Sequence, residues 1–323
     1  MALYLVTGGA GFIGSHLVEE LLTRGHRVRV ADSLITGKQA NIDAAVAAAR
    51  ARHPSAGEPE VVIGDLADPD VARRATAGVE VVLHQAAIPS VPRSVEDPVT
   101  SHRANVDSTL QLLVAARDAG VRRVVYAGSS SAYGNTDVLP KREDMPTNPL
   151  SPYALQKLVG EQYMLMFSQL YGLETVTIRY FNVFGPRQDP GSAYSGVISL
   201  FLRAVTERVP PTIHGDGEQT RDFTYVANVV DGVLRAADTP RVAGEVINVA
   251  TGVRISLNRL LDIVQTIAGT DLRPQYGPVR SGDVRDSQAD ISKAQRLLGY
   301  EVSVSLEEGL RRTLAWFDAA RPQ

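Results

Sequence analysis

The chain of 323 residues contains no cysteine. The absence of thiols excludes disulfide bonds, a thiolate nucleophile and a zinc–thiolate site. No apolar run approaches the roughly 20 residues that a membrane-spanning helix needs. The residues after Met1 also lack the basic segment and long apolar run of an export signal. We therefore expect a cytoplasmic protein with no membrane association.

An excess of charge of one sign is also lacking, because 33 basic and 36 acidic residues give a formal net charge of −3. This balance gives no electrostatic reason to expect a nucleic acid as partner, so the sequence favours a small-molecule ligand. No metal site is expected. A chain of this length with 44% hydrophobic residues can bury a sizeable core. We expect one large domain, or a large and a small domain that share a cleft.

Short apolar runs alternate with helical stretches, which is the order of a doubly wound parallel α/β sheet. Six of the seven candidate strands lie in the first 182 residues, and the later part is richer in proline, glycine and arginine. We predict a large domain over residues 1–182, to which the chain returns at about 222–251, and a smaller mixed α/β part over 183–323. The predicted strands are 3–6, 27–31, 61–63, 79–83, 123–127, 176–180 and 246–249.

Four glycines follow the first predicted strand and precede the helical stretch 12–24. Gly8 and Gly9 allow a tight turn between the strand and the helix. Gly11 lets the backbone approach a pyrophosphate, and Gly14 lets the helix pack closely on the strand. A plain glycine-rich turn is the alternative. The position between strand and helix favours the opening βαβ unit of a Rossmann-type dinucleotide-binding domain.

An acidic residue, Asp32, lies 18 residues beyond Gly14 at the end of the second predicted strand. This is close to the spacing of about 20 residues expected for an acid that binds the adenosine ribose. A carboxylate there accepts both ribose hydroxyls and repels a 2′-phosphate, so it favours NAD over NADP. The nearby cations Lys38 and Arg29 leave NADP open. The ends of the third and fourth strands face the same edge and supply Asp65, Leu66, Gln85, Ala86 and Ala87.

Tyr153 and Lys157 are four residues apart near the start of a predicted helix, so their side chains lie on one face. A tyrosine with a pKa of about 10 is a poor base at neutral pH. An adjacent ammonium that stabilises the phenolate moves this pKa towards the working range. Because the chain has only 4 lysines and 11 tyrosines, a chance surface pair is the weaker explanation.

Three serines, Ser129, Ser130 and Ser131, close the fifth predicted strand. A doubly wound sheet delivers side chains from this position to a crevice. A hydroxyl there can bridge a tyrosine and a substrate, although serines at a strand end also serve as turn residues. Their location 22 to 24 residues before Tyr153 favours the catalytic interpretation.

These features together resemble the extended short-chain dehydrogenase/reductases, and the match runs along almost the whole chain. Within that family the sequence is similar to the nucleotide-sugar enzymes, in the blocks RYFNVFGP (179–186), GDGEQTRDF (215–223) and GDVRD (282–286). The resemblance implies that Ser129, Tyr153 and Lys157 are catalytic. It also implies a cofactor site formed by Gly8, Gly11, Phe12, Ile13, Gly14, Asp32, Asp65, Leu66, Gln85, Ala86, Ala87, Asn105, Tyr153, Lys157 and Phe181.

The same resemblance implies a UDP-sugar as substrate. Arg221 and Arg280 would bind the diphosphate, since a guanidinium fork suits phosphate oxygens. Asp283 would bind the uridine ribose. Without their motifs, the two arginines would be ordinary members of a solvated surface. The complete set of substrate residues is Ser130, Ser131, Asn182, Val197, Arg221, Arg280, Asp283 and Ser287.

Enzymes of this type share a first step, in which Tyr153 would remove the 4-hydroxyl proton while hydride passes to NAD and leaves a 4-keto sugar. Dehydratases and decarboxylases of the family carry acidic residues just after the catalytic hydroxyl, where this chain has Ser130 and Ser131. The resemblance therefore favours 4-epimerisation by hydride return to the other face of the sugar, with tightly bound NAD regenerated in each turnover. Ser287 matches a position where a small residue admits N-acetylated sugars. Asp189 stands where glucuronate 4-epimerases show arginine, so a carboxylate at the sugar C6 atom would meet repulsion.

The leading hypothesis is therefore a 4-epimerase of UDP-GlcNAc/UDP-GalNAc, UDP-Glc/UDP-Gal or both. A related UDP-sugar dehydratase or decarboxylase and a UDP-glucuronate 4-epimerase remain alternatives. A non-catalytic NAD-binding scaffold or redox sensor is an alternative from a different class. The resemblance also suggests a homodimer formed through the helical stretches 98–119 and 152–171, although their apolar positions would equally suit a buried core.

Overall fold

The computed structural model describes residues 2–189, 196–279 and 284–319. Within these residues, seven parallel strands form the central sheet. Their spatial order is β11–β6–β5–β4–β1–β2–β3, in which β1 and β4 are neighbours and the strand order reverses. In chain order the strands are β1 (Leu3–Thr7), β2 (Arg27–Asp32), β3 (Glu60–Ile63), β4 (Val81–His84), β5 (Arg123–Ser129), β6 (Glu174–Tyr180) and β11 (Glu245–Val249).

Helices cover both faces of this sheet. Both faces need this cover because the apolar side chains of each strand alternate between them. Tyr4 and Val6 of β1 belong to one buried cluster, which also contains residues of α1 (Phe12–Thr23), α2 (Gln39–Arg52) and α9 (Val226–Asp238). Leu3 and Leu5 belong to a second cluster on the opposite face. That cluster contains residues of α3 (Pro69–Thr76), α6 (Ser108–Asp118) and α7 (Pro152–Tyr171). The predicted doubly wound α/β class is confirmed.

The later part of the chain forms short strand pairs and four further helices within the described residues. Residues of these helices extend the first buried cluster. The pairs are β7 (Val183–Phe184) with β10 (Thr224–Tyr225), β8 (Thr212–His214) with β13 (Gln275–Gly277), and β9 (Thr220–Arg221) with β12 (Ile255–Ser256). The helices are α8 (Val197–Glu207), α10 (Leu257–Ala268), α11 (Ser292–Leu298) and α12 (Leu306–Ala319).

The later part is joined to the large sheet through β11, which pairs in parallel with β6 along its whole length. Asp222, just before β10, reinforces this junction. Its buried carboxylate accepts hydrogen bonds from the backbone N–H groups of Thr251, Gly252 and Ala289 at 3.0, 2.9 and 3.2 Å. The chain therefore crosses between its two parts more than once. A division at residue 182 stays a prediction.

The helical stretch predicted over 98–119 is interrupted in the structure. α5 (Pro98–His102) is followed by a π-helical turn, Arg103–Asp107, before α6 begins. The Asn105 side chain in this turn accepts a hydrogen bond from the Ile88 N–H at 2.8 Å. Such π-turns arise where a side chain takes part in contacts outside the helix. None of the described helices has the length and apolar character needed to cross a bilayer.

Candidate active site

A cleft of about 1600 Å³ opens at the carboxyl ends of the parallel strands. Its walls include the glycine turn after β1, Asp32 at the end of β2, Gln85 after β4 and the serines that follow β5. Residues from the later part of the chain, among them Arg221 and Ser287, complete the walls. Ligand pockets commonly have volumes of about 300–1,000 Å³. This cleft therefore has room for a dinucleotide and a second ligand together.

The glycine turn brings the start of α1 close to β1. Gly8 has a left-handed φ of 67°, and a Cβ atom added to Gly14 would lie only 2.1 Å from the carbonyl oxygen of Gly8. The first turn of α1 has no side-chain cap and no acidic residue. Its free N–H groups and the positive end of the helix dipole therefore face the cleft, as a pyrophosphate requires.

Backbone donors hold the Asp32 carboxylate in place. Its Oδ2 accepts a hydrogen bond from the Ala10 N–H at 2.9 Å, and its Oδ1 accepts one from the Leu34 N–H at 2.8 Å. The side chain lies on the cleft wall although the residue is 7% exposed. Each carboxylate oxygen can accept more than one hydrogen bond. The carboxylate is therefore orientated and can still bind both hydroxyls of a ribose.

Lys38 and Arg29, the two cations that left NADP open as an alternative cofactor, have partners in the structure. The Lys38 ammonium is 2.8 Å from Oδ2 of Asp189. Arg29 pairs with Glu60 at 2.7 Å and donates to the Ala77 carbonyl at 2.7 Å. Because both cations are engaged and Asp32 would repel a 2′-phosphate, the site fits NAD better than NADP.

Gln85 provides a further indication of a bound cofactor. Its Oε1 accepts a hydrogen bond from the Tyr180 hydroxyl at 2.8 Å. Its Nε2 is buried and has no acceptor within the described part of the chain. A buried donor without a partner costs free energy unless a ligand satisfies it. The amide on the cleft wall, the glycine cradle and Asp32 together fit a dinucleotide such as NAD.

Tyr153 and Lys157 lie one turn apart at the start of α7, and both line the cleft. The Ser151 hydroxyl caps this helix by accepting a hydrogen bond from the Ala154 N–H at 3.1 Å. Burial raises the pKa of Tyr153 to about 12, although a hydrogen bond with the Ser129 side chain lowers it, so the shift towards the working range that was expected from Lys157 is not found. Burial also lowers the pKa of Lys157 to about 7. Positive charge brought into the cleft by a ligand would favour the Tyr153 phenolate.

The Lys157 ammonium lies 4.5 Å from the ring centroid of Tyr126 on β5 and makes no ion pair with a described residue. The ring therefore provides its cation–π support. Gly160 permits this arrangement, because a Cβ atom there would lie 2.3 Å from the Tyr126 hydroxyl oxygen. His84 lies behind the ring, with centroids 5.5 Å apart, and burial lowers its pKa to about 3. Lys157 thus has an aromatic partner and a neutral histidine behind it.

The three serines form a compact turn on the cleft wall. The Ser129 and Ser131 hydroxyl oxygens are 2.7 Å apart, and the Ser131 N–H donates to Ser129 Oγ at 3.2 Å. Ser130 also lines the cleft. The described acidic residues of the wall are Asp32, Asp65 and Asp189. Asp32 ends β2, Asp65 follows β3, and Asp189 pairs with Lys38, so none of the three belongs to the serine turn.

The cleft brings together most of the residues predicted from the sequence. Arg280 and Asp283 lie outside the described residues. The predicted residues found on the wall are Gly8, Gly11, Phe12, Ile13, Gly14, Asp32, Asp65, Leu66, Gln85, Ala86, Ala87, Ser129, Ser130, Ser131, Tyr153, Lys157, Asn182, Arg221 and Ser287.

Three predicted residues do not line the cleft. Asn105 lies behind the wall, where its Nδ2 donates to Gln156 Oε1 at 2.8 Å. Phe181 is completely buried, with its ring centroid 6.2 Å from that of Tyr133. Val197 begins α8 and packs against the hydrophobic core. Packing and internal hydrogen bonds therefore occupy the side chains that sequence similarity assigned to ligands.

Among the wall residues that sequence reasoning missed are Lys141, Arg187 and Trp316. Arg187 has a left-handed φ of 66° and pairs with Glu19 of α1. It thereby ties the segment after β7 to the helix that follows the glycine turn. The position of Arg187 directly after the RYFNVFGP block could have indicated that it is a site residue. For Lys141 and Trp316 the available indication was the rarity of their residue types, since the chain has 4 lysines and 1 tryptophan.

The fold and the site define a nucleotide-binding enzyme with a tyrosine–lysine pair at the carboxyl edge of a doubly wound sheet. Residues 4–250 match the model of the NAD dependent epimerase/dehydratase family. The chain belongs to this family. It is 41% identical over 315 residues to the UDP-glucose 4-epimerase of Mycolicibacterium smegmatis, and the match covers 97% of each chain.

Solved structures agree over the whole fold. A UDP-N-acetylglucosamine 4-epimerase from Methanobrevibacter ruminantium, in complex with UDP-N-acetylmuramic acid, is 36% identical with a TM-score of 0.92 and 99% coverage of both chains. The UDP-glucose 4-epimerase of Thermotoga maritima with UDP-glucose is 37% identical with a TM-score of 0.91. That match covers 98% of this chain and 99% of the other.

The glycine cradle gives a first prediction. In Gly14→Ala the new methyl group would overlap the Gly8 carbonyl, so α1 must move away from β1. We expect loss of bound NAD, measured as cofactor released on denaturation, and a decrease of about 1–3 kcal/mol in the free energy of unfolding. Gly57→Ala is the control because its Cβ would meet no atom within 4 Å. Retention of NAD by Gly14→Ala would contradict this account.

The Tyr126 ring gives a second prediction. Tyr126→Leu removes the π face from Lys157, whereas Tyr126→Phe keeps it. We expect kcat of the leucine variant to fall roughly ten-fold. The alkaline limb of its pH–rate profile should move to lower pH, because the ammonium loses stabilisation and deprotonates earlier. The phenylalanine variant should retain both values. Equal profiles for the two variants would show that the ring does not support the lysine.

Proposed function

We propose that this chain is an NAD-dependent 4-epimerase of UDP-hexoses, an isomerase that acts on UDP-GlcNAc/UDP-GalNAc, UDP-Glc/UDP-Gal or both. One observation carries the proposal. A tyrosine–lysine pair faces a cleft large enough for a dinucleotide and a second ligand, and no described acidic residue belongs to the adjacent serine turn. The names of the relatives support the same activity, since those cited act as UDP-glucose or UDP-N-acetylglucosamine 4-epimerases.

The residues proposed to hold the cofactor are the glycine turn, Asp32 and Gln85. NAD held there would supply the hydride acceptor, and afterwards the hydride donor, for the sugar C4 atom. Tyr153 removes the proton from the 4-hydroxyl and later gives it back. Lys157 stabilises the phenolate that this role requires, and Ser129 links the tyrosine with the sugar oxygen. A transient 4-keto sugar results between the two proton transfers.

The fate of this keto sugar follows from the groups around it. Elimination of water or loss of carbon dioxide requires a second acid or base positioned at the sugar C5 or C6 atom. Ser130 and Ser131 occupy the positions after Ser129, and a neutral hydroxyl cannot serve as a carboxylate would. Rotation of the sugar and return of the hydride to its other face needs no such group. The proposal therefore favours epimerisation over the dehydratase and decarboxylase alternatives.

The sugar preference rests on two residues. Ser287 lies on the cleft wall and has a small side chain, which leaves space for an acetamido group. Asp189 was expected to repel a uronic acid, but its ion pair with Lys38 weakens that repulsion. We therefore keep the N-acetylated and the plain hexoses as the proposed substrates. UDP-glucuronate is the alternative to test beside them.

The proposal includes a cytoplasmic homodimer and a division of labour between residues 1–182 and 183–323. Apolar side chains on the outer surface of α5 and α7 support the dimer. Val99 is 78% exposed, and Leu155 and Leu170 are 51% and 66% exposed. Exposed apolar patches of this kind mark association surfaces. The cysteine-free composition fits the cytoplasm.

The function is tested by product analysis. Incubation with UDP-GlcNAc should give UDP-GalNAc without any change in mass, and UDP-Glc should give UDP-Gal if the plain hexoses are accepted. In Tyr153→Phe we expect kcat to fall by a factor of about 10²–10⁴ while NAD remains bound, because only the transferable proton is removed. NMR and mass spectrometry identify the products. A mass loss equal to water or carbon dioxide would establish the alternative lyase activity.

Two further arms of this experiment refine the result. Ser287→Tyr should retain the plain hexoses and lose the N-acetylated pair, because the larger ring fills the space proposed for the acetamido group. A wild-type protein that converts no UDP-hexose but binds NAD would support the non-catalytic scaffold. The wild-type assay with UDP-glucuronate decides the third alternative.

The dimer gives its own prediction. Leu170→Glu places a charge on the exposed face of α7, and burying that charge in an interface would be costly. We expect the variant to be monomeric in size-exclusion chromatography with light scattering, whereas the wild type is dimeric. Val253→Glu is the control, because this residue is 68% exposed outside both helices. A monomeric wild type would refute the dimer.

A further inference from the structure

Lys141 is a buried cation that the proposed mechanism does not use. It follows the serine turn in the chain, is 1% exposed and lies on the cleft wall. Its Nζ donates one hydrogen bond, to the Gly134 carbonyl at 3.0 Å, and lies 6.0 Å from the ring centroid of Tyr133. An ammonium has three donors, so two remain for other acceptors.

The four lysines of the chain divide into two pairs. Lys38 and Lys293 are more exposed and form ion pairs with Asp189 and Glu245 at 2.8 and 2.7 Å. Lys141 and Lys157 are buried, and neither forms an ion pair with a described residue. Both buried lysines line the same cleft. A buried ammonium without an anion is costly, and a site that retains one is a candidate for binding a charged ligand.

The backbone of Lys141 is fixed against the later part of the chain. Its N–H donates to the Gln288 carbonyl at 2.7 Å, and its carbonyl accepts from the Asp290 N–H at 2.9 Å. This pairing places Lys141 beside the segment that carries Ser287. The Gly134 contact places its ammonium beside the end of the serine turn. Lys141 therefore lies between two groups of proposed sugar contacts.

The electrostatic surroundings also favour an anion at this place. Burial and the positive charge of Arg221 together lower the pKa of Lys141 to about 8. Two cations on the walls of one cleft repel each other, and both are stabilised when an anionic oxygen lies near them. A substrate of the proposed type has a diphosphate, and an acidic sugar has a carboxylate in addition.

We propose that Lys141 is a substrate-binding residue whose ammonium contacts an anionic oxygen of the nucleotide sugar. The inference rests on the proposed function for the identity of that ligand. The oxygen belongs either to the diphosphate or to a carboxylate on the sugar. In the second case, Lys141 extends the substrate range to acidic sugars, although Asp189 occupies the position where glucuronate 4-epimerases show arginine.

The test compares Lys141→Met, Lys141→Gln and the wild type in NAD-loaded protein. Calorimetry gives Kd for UDP, UDP-GlcNAc and UDP-glucuronate, and product assays give KM and kcat. Methionine removes the charge and the hydrogen bond to Gly134. Glutamine removes the charge but keeps a donor for that carbonyl. Lys293→Met is the matched control, because it removes a lysine that does not line the main cleft.

A contact with the diphosphate should weaken the binding of all three ligands roughly ten-fold or more in both variants. A contact with a sugar carboxylate should weaken the binding of UDP-glucuronate alone by that factor. Unchanged Kd values in both variants would overturn the inference. Loss of binding in Lys141→Met with full binding in Lys141→Gln would also overturn it, since only the hydrogen bond to Gly134 would then matter.

The binding arm separates this inference from the proposed function. If the wild type binds UDP-sugars but converts none, the proposed epimerase activity fails and the comparison of Lys141 variants still stands. If the wild type epimerises and the variants bind like it, the role of Lys141 fails and the epimerase remains.

Discussion

The cation–π contact between the buried Lys157 ammonium and the Tyr126 ring, with no carboxylate partner among the described residues, is the interaction on which the site depends. The position of the Lys157 ammonium requires the Tyr126 ring. That ring fits against α7 because residue 160 is glycine. A carboxylate beside the lysine would hold it as an inert ion pair. Without one, its positive charge is available to Tyr153 and to a ligand. The packing of β5 against α7 therefore sets the chemistry of the cleft.

The distribution of acids and bases around this lysine favours reversible over irreversible chemistry. The described carboxylates of the cleft wall lie at the end of β2 and in the segments after β3 and β7, while the serine turn is neutral. In the proposed mechanism Tyr153 transfers the proton in both directions, and its two transfers are the reverse of each other. Such a pair of transfers suits oxidation and reduction of the same carbon atom. Among the described residues, the serine turn offers no carboxylate that could act as the second acid or base of an elimination.

The sequence was sufficient for the parts of the site that depend on local spacing. Strand and helix periodicity predicted all seven strands of the sheet. Three parts of the site could be placed because each lies next to a regular element: the glycine turn, Asp32 and the Tyr153–Lys157 pair. Contacts between distant segments could not be predicted. The ion pair of Lys38 with Asp189, the burial of Phe181 and the interruption of the helix at Asn105 all depend on partners far away in the chain or on tertiary packing. Lys141 was missed for the same reason, since its neighbours Gln288 and Asp290 become adjacent only in the fold.

The junction between the two parts of the chain limits how epimerisation can proceed. β11 belongs to the central sheet, and the Asp222 carboxylate binds three backbone N–H groups from two later segments. Burial raises the pKa of Asp222, whereas its hydrogen bonds lower it, so these bonds support the charged form that joins the segments. The serine turn and the Ser287 segment are thus attached to one framework. Rotation of the keto sugar within the cleft changes the face that it presents, and the cleft volume of about 1600 Å³ provides the space for this rotation.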